Sequence, residues 1–154
     1  MKNEFMSRAI TLSIESVYKG GGPFGSLIVK DNKIISEGFN QVTSTNDPTA
    51  HGEIVAIRNS CKILNSFSLR GCDLYTSCEP CPMCMSAIYW ARIDNVYYAN
   101  TRDDAKKIDF DDSLIYEEFM KSIKERKIQM HQMMRDQALK AFDLWDKKID
   151  KVKY

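Results

Sequence analysis

The stretch Leu74–Ala99, LYTSCEPCPMCMSAIYWARIDNVYYA, decides the architecture of this chain. Leu74 to Ser77 is a short run that reads as a strand. Pro80 or Cys81 then opens a helix ending near Trp90, since proline at a helix start forfeits an N–H that has no intrahelical partner there. Val96 to Ala99 reads as another strand. Strands that alternate with helices imply a sheet covered by helices, an α/β fold.

Working outward, Phe5, Ala9, Leu12 and Val17 recur at helical spacing between Asn3 and Tyr18. Gly20-Gly21-Gly22-Pro23 stops that helix. Phe24 to Lys30 and Lys33 to Asn40 read as two strands joined at Asp31-Asn32, a two-residue hairpin turn. The hairpin makes the sheet mixed rather than purely parallel. Gln41 to Pro48 is a polar loop, and Thr49 is the expected N-cap of a helix from Ala50 to about Leu64. That places His51 and Glu53 in its first turn. Further on, the pattern predicts a helix over Ser113 to Ile123, a strand over Ile128 to Met133, and a last helix from Asp136 to about Lys147. The competing architecture is an α+β fold with segregated helices. No repeat, low-complexity tract or linker divides the chain, so residues 1–154 read as a single domain.

Composition excludes several function classes. With 44% hydrophobic and 28% charged residues and a formal net charge of +1, nothing draws the whole molecule toward nucleic acid or an anionic membrane. The five cysteines are Cys61, Cys72, Cys78, Cys81 and Cys84. An odd number with C-x-x-C spacing reads as metal chemistry in a reducing compartment rather than as a disulfide framework. Met1-Lys2-Asn3-Glu4-Phe5 lacks the apolar run of a signal peptide, and no stretch approaches the roughly 18 apolar residues of a membrane span. A cytoplasmic protein is expected.

The chemistry gathers in two short segments, His51-Gly52-Glu53 and Pro80-Cys81-Pro82-Met83-Cys84. His51, Cys81 and Cys84 offer three ligands and leave one position open, as catalytic zinc sites do. Cys81 and Cys84 share one face of a helix's first turn, where free N–H groups and the helix dipole favour thiolates. Glu53, two residues past the histidine, is placed to move protons for an activated water. Bland readings stand beside these: a lone histidine is usually a satisfied core residue, and a lone glutamate at a helix start simply favours the dipole. Cys78 adds a C-x-x-C-x-x-C run, and Cys61 or Cys72 would supply the fourth ligand of an iron–sulfur cluster. That assignment leaves His51 and Glu53 unexplained, and the fourth cysteine followed by proline is missing. A structural zinc site is the other alternative, with Glu53 or Cys78 as fourth ligand. Otherwise Cys61, Cys72 and Cys78 are small buried hydrophobes.

His-x-Glu followed by Pro-Cys-x-x-Cys is the signature of the zinc nucleobase deaminases, and Thr49–Glu53 with Ser77–Cys84 resembles the cytidine-deaminase-like superfamily. More narrowly, the chain resembles the bacterial guanine deaminases in Gly21–Gly25, Ser44–His51, Ala87–Arg92, Phe110–Tyr116 and the closing Lys153-Tyr154; residues 118–147 match loosely. The resemblance implies a three-layer α/β/α sandwich around a mixed central sheet. It implies one zinc per subunit on His51, Cys81 and Cys84, with Glu53 as proton shuttle and Asp112 as a second acid near the departing amino group. Asn40 would hydrogen-bond the purine, Phe24 would pack on its face and Trp90 would wall the pocket. Tyr154 would close the site from a partner subunit, the segment from about 136 to 154 being exchanged in a homodimer.

The implied reaction is hydrolysis of guanine to xanthine and ammonia. A deaminase of guanosine or another small heterocycle is the nearest alternative. A transfer-RNA adenosine deaminase is further off, because Thr101–Lys107 does not resemble the corresponding stretch of such enzymes and no excess of positive charge tracks phosphates. Without the family, Asp111-Asp112 would be helix-start acids, Phe24 and Trp90 core, and Tyr154 part of a frayed tail. Met130, Met133 and Met134 have only a packing reading, and His131 receives no role. One departure stands out: residue 52 is glycine where the family usually has alanine. Glycine there costs roughly 0.5–1 kcal/mol of helix propensity and removes no ligand.

Overall fold

Asp31 and Asn32 both take positive φ, 49° and 59°, in the computed structural model. A two-residue hairpin turn matched to the strand twist needs that pair. It joins β1 (Gly25–Lys30) to β2 (Lys33–Phe39), and β3 (Cys72–Cys78) runs antiparallel on the other side of β1. β4 (Asn95–Asn100) pairs parallel with β3, giving the order β2-β1-β3-β4 and a mixed sheet. The structure describes residues 2–154, which form two compact units, one ending at Asp112 and the other running Ser113–Tyr154.

The first unit contains the sheet, and strand alternation sorts its two faces. Leu27, Val29 and Tyr75 face α1 (Lys2–Tyr18) and pack on Ala9 and Leu12. Ile28 and Leu74, register partners, face the opposite way and pack on Ala56 and Ile57 of α3 (Gly52–Ile63) and Ile88 and Ala91 of α4 (Pro82–Ala91). One helix covers one face and two cover the other. This is the three-layer α/β/α sandwich expected from the sequence.

Two glycines set how closely those helices lie. A Cβ on Gly25 would stand 2.5 Å from the Ser13 nitrogen and 2.6 Å from the Ala9 oxygen. On Gly38 it would stand 2.3 Å from the Gly52 oxygen and 2.6 Å from the Ala56 nitrogen. The first turn of α3 therefore lies against the backbone of β2. Arg8 adds a fork to Glu37, with both nitrogens 2.7 Å from carboxylate oxygens, tying α1 to β2.

Several boundaries differ from the sequence reading. The loop after β2 contains one helical turn, α2 (Val42–Thr45), closed by Asn46 at φ 52°. A short helix, α5 (Arg102–Lys106), follows β4 and begins in a capping box of Thr101 and Asp104. The second unit comprises α6 (Ser113–Met120), a 3-10 turn at Ile123–Glu125 and α7 (Arg135–Lys147). The expected strand over Ile128 to Met133 does not form; Ile128, Met130 and Met133 are exposed. Apolar alternation makes a strand only when another strand accepts its backbone hydrogen bonds. Among the described residues, no helix is long and apolar enough to cross a membrane.

Candidate active site

His51 is the N-cap of α3 (φ −68°, ψ 156°) and Cys81 the N-cap of α4 (φ −66°, ψ 168°). Both residues stand in extended backbone just before a helix, so two positive helix ends converge. Pro82 occupies the first helical positions of α4, and Cys84 follows within the first turn. Thr49 does not cap α3, contrary to expectation. Its backbone N–H and hydroxyl both donate to Asp47 Oδ1, at 2.8 and 2.6 Å, and Arg58 reaches the same carboxylate at 3.3 Å. An Asx turn has captured the side chain that a cap would need.

His51 Nδ1 lies 3.6 Å from Cys81 Sγ and 3.5 Å from Cys84 Sγ, and all three ligand atoms fall within 4.8 Å of one another. Zinc bonds of about 2.3 Å to sulfur and about 2.0 Å to nitrogen, at a tetrahedral angle, put those atoms roughly 3.5 Å apart. The donor set therefore fits a zinc ion, with Nδ1 as the imidazole ligand. Among the described residues this is the group able to hold a metal.

The electrostatics suit it. Cys81 is drawn down to about 4, first because the Cys84 thiol donates to it, then through His51 and the Cys84 backbone N–H. Cys84 holds the proton of that pair and is pushed up, by its bond to Cys81 and by burial. His51 is raised by its hydrogen bond to Cys81. Cys78 plays no part: its thiol donates to the Thr101 oxygen at 3.6 Å, and burial pushes it up to about 11. Cys72 sits in the apolar core and Cys61 packs against it, which leaves the iron–sulfur arrangement without its ligands.

Glu53 is 6% exposed. Burial pushes its carboxyl up, and the negative charge of Cys81 adds to the rise. Its Oε2 lies 3.5 Å from Cys84 Sγ, on the ligand side, while Oε1 accepts from the Thr76 hydroxyl at 3.4 Å. A carboxyl raised in this way holds its proton more readily than an exposed one, which suits a group that must act as both general acid and base.

Of the remaining expected residues, the structure brings Asp112 near the cluster. It is half-buried, and burial together with the Cys81 charge raises its carboxyl. Asn40 is buried and its Oδ1 accepts from the Val42 N–H at 3.2 Å, so the group it has left for a ligand is a donor. Phe24 meets Phe110 edge-on, with ring centroids 4.9 Å apart. Trp90 lies almost two turns beyond Cys84 on α4 and is 65% exposed. Tyr154 ends the second unit and is exposed. Sequence reasoning missed Thr76 and Ser26 behind Glu53, and Asp47 beneath the His51 loop. For Asp47 the Asp-Pro-Thr run was the available signal.

Residues 1–100 match the family described as the cytidine and deoxycytidylate deaminase zinc-binding region. The guanine deaminase of Bacillus subtilis (strain 168) is 52% identical over 151 residues, 97% of this chain and 97% of that protein. An X-ray structure of guanine deaminase from Bacillus subtilis aligns with a TM-score of 0.96 at 51% identity, covering 99% of this chain and 98% of that one. A tRNA-specific adenosine deaminase of Aquifex aeolicus (strain VF5) is 41% identical over 98 residues, 64% of this chain and 65% of that protein.

Proposed function

We infer the function from the premise that this chain belongs to the cytidine and deoxycytidylate deaminase zinc-binding family: it is a zinc-dependent hydrolase that deaminates guanine to xanthine and ammonia. The observation that carries the substrate is the reach of the similarity. Likeness to the guanine deaminase runs over 97% of the chain, whereas likeness to the transfer-RNA enzyme covers 64%. Of the residues assigned to the purine and its amino group, Asn40, Phe24 and Trp90 lie within the family match, while Asp112 and Tyr154 lie beyond residue 100, where it ends.

His51, Cys81 and Cys84 would hold the zinc. When bound, zinc lowers the pKa of water toward about 7 and so supplies a hydrolytic nucleophile at neutral pH. The protein's own part is to place the base and to carry protons. Asn40 would donate to an acceptor on the purine edge, and Phe24 would pack on its face. Glu53 would take the proton of the attacking water on Oε2, the oxygen turned to the ligand side, and pass it to the ring nitrogen beside the amino-bearing carbon. Asp112, with its carboxyl raised, would then help protonate the amine that leaves as ammonia.

The chain would act as one deaminase domain over residues 1–154, as a homodimer with the segment from about 136 to 154 exchanged so that Tyr154 closes the partner's site. Support comes from α7, which buries none of its residues although it carries Phe142, Leu144 and Trp145. Trp90 would wall the pocket. Five free cysteines, two of them proposed zinc thiolates, suit the reducing cytoplasm and a role in purine breakdown or salvage.

Ammonia release by zinc-loaded protein tests the reading across guanine, guanosine, adenine, cytosine, cytidine and transfer RNA. Guanine is expected to be turned over fastest. Turnover of transfer RNA alone overturns the assignment, and bound zinc without turnover of any substrate makes the site structural.

A further inference from the structure

The rung of the sheet behind Glu53 breaks the pattern of the core. On the face turned to α3 and α4, β1 and β3 pair Ile28 with Leu74, both fully buried and apolar. One rung nearer the metal ligands the register pairs Ser26 with Thr76, and these are equally buried, at 0% and 1% exposed. Alanine and valine would fill the same space without taking two hydroxyls out of water, which is unfavourable unless each finds a partner. The partners are specific. Ser26 Oγ donates to Thr76 Oγ1 at 2.9 Å, and Thr76 Oγ1 donates to Glu53 Oε1 at 3.4 Å. With its acceptor side taken by Ser26, the Thr76 hydroxyl has its proton directed to the carboxylate.

We propose that Thr76 is a positioning residue for the proton shuttle, holding Glu53 Oε1 so that Oε2 faces the His51–Cys81–Cys84 side, with Ser26 orienting the Thr76 hydroxyl. Glu53 has three rotatable bonds, and its other oxygen lies 3.5 Å from the Cys84 sulfur. A ligating cysteine is a thiolate and offers no proton, so the hydroxyl pair is what fixes the carboxylate plane in the working site. The 3.4 Å contact is long, as catalytic hydrogen bonds are before substrate draws the site together. Thr76 touches no substrate in this arrangement; its influence passes through Glu53.

The inference rests on the deaminase reading, and its test separates the two. Thr76→Val, Thr76→Ser and Ser26→Ala are assayed on guanine beside the wild type, with zinc content measured for each. Thr76→Val is expected to lower kcat about 10-fold or more, the scale on which small misplacements act, with KM and zinc content within about twofold. Thr76→Ser restores kcat to within about threefold. Ser26→Ala gives a smaller loss, and adding it to Thr76→Val costs nothing further, because the two act in series.

An unchanged kcat in Thr76→Val, or a loss that serine does not rescue, overturns the proposal. Should Thr76→Val fail to fold, Ser26→Ala decides, and full activity in that variant is the refuting result. A second readout needs no turnover. The shift in urea midpoint caused by Thr76→Val should shrink in a Glu53→Ala background; equal shifts in both backgrounds mean the side chains do not interact. If the wild type does not deaminate guanine, the functional reading falls while the urea cycle still decides the positioning.

Discussion

Gly38→Ala is a substitution of one methyl group that should reach the metal site. The added Cβ would stand 2.3 Å from the Gly52 oxygen, 2.6 Å from the Ala56 nitrogen and 3.1 Å from Val55 Cβ. Ordinary carbon–oxygen contact lies near 3.5 Å, so the overlap with the Gly52 carbonyl is about 1 Å. The two nearest obstructing atoms are backbone, and neither can rotate away. The first turn of α3 must therefore move off β2 by about 1 Å, carrying His51 at its N-cap and Glu53 one residue beyond Gly52. Overpacking of this kind costs about 1–3 kcal/mol, and a displacement of 1 Å at catalytic groups costs on the order of 100-fold in rate. Urea unfolding of the zinc-loaded protein measures the first effect and kcat on guanine the second. Gly52→Ala is the control: its Cβ would meet Ser26 Oγ at 3.2 Å and the Phe24 oxygen at 3.3 Å, a far milder crowding. If Gly38→Ala matches the wild type in both measurements, the close seating of α3 on β2 is not what places the site.

Glu53→Ala should keep its zinc and lose turnover by about 10²–10⁴-fold, and an active variant would remove the shuttle role. Zinc binding near neutral pH should release the proton of Cys84, which is pushed up while Cys81 is drawn down to about 4; calorimetry in buffers of different ionisation enthalpy detects the release, and no release contradicts the ligand set. Arg8 holds the Glu37 carboxyl below its ordinary value of 4.5. A depressed acid stabilises above its unfolded pKa and loses that contribution as pH falls through its folded pKa, so Glu37→Gln should flatten the acid limb of stability below about pH 4.5. The pair is about a third exposed, which limits the effect to about 1 kcal/mol or less. Truncation after Ile149 should abolish guanine turnover while zinc stays bound, and full activity would make Tyr154 part of a frayed tail.

What the sequence disclosed follows how local each feature is. The helices at Lys2–Tyr18 and Pro82–Ala91 were legible because apolar spacing, glycine stops and a proline start are written within a few residues. The zinc ligands were legible because two of the three sit in one helical turn. The N-cap of α3 was misread by two positions, since Thr49 answers to Asp47 rather than to the helix. A strand at Ile128–Met133 was expected, but a short stretch of sequence carries no information about a partner strand. Thr76 and Ser26 escaped notice for the same reason in reverse. Their pairing spans 50 residues and exists only once the sheet register is set.

Gly52 and Ser26 are also neighbours across the core. A methyl group at position 52 would meet the Ser26 hydroxyl at 3.2 Å, so alanine at 52 and serine at 26 compete for one small volume. Relatives with alanine at 52 should then favour a residue without a hydroxyl at 26, and the two sites should change together. The order of change is constrained as well. A lineage that loses the Ser26 hydroxyl first passes through a roomy intermediate, whereas one that gains the methyl first passes through a crowded one. Two positions separated by a whole hairpin thus line one space.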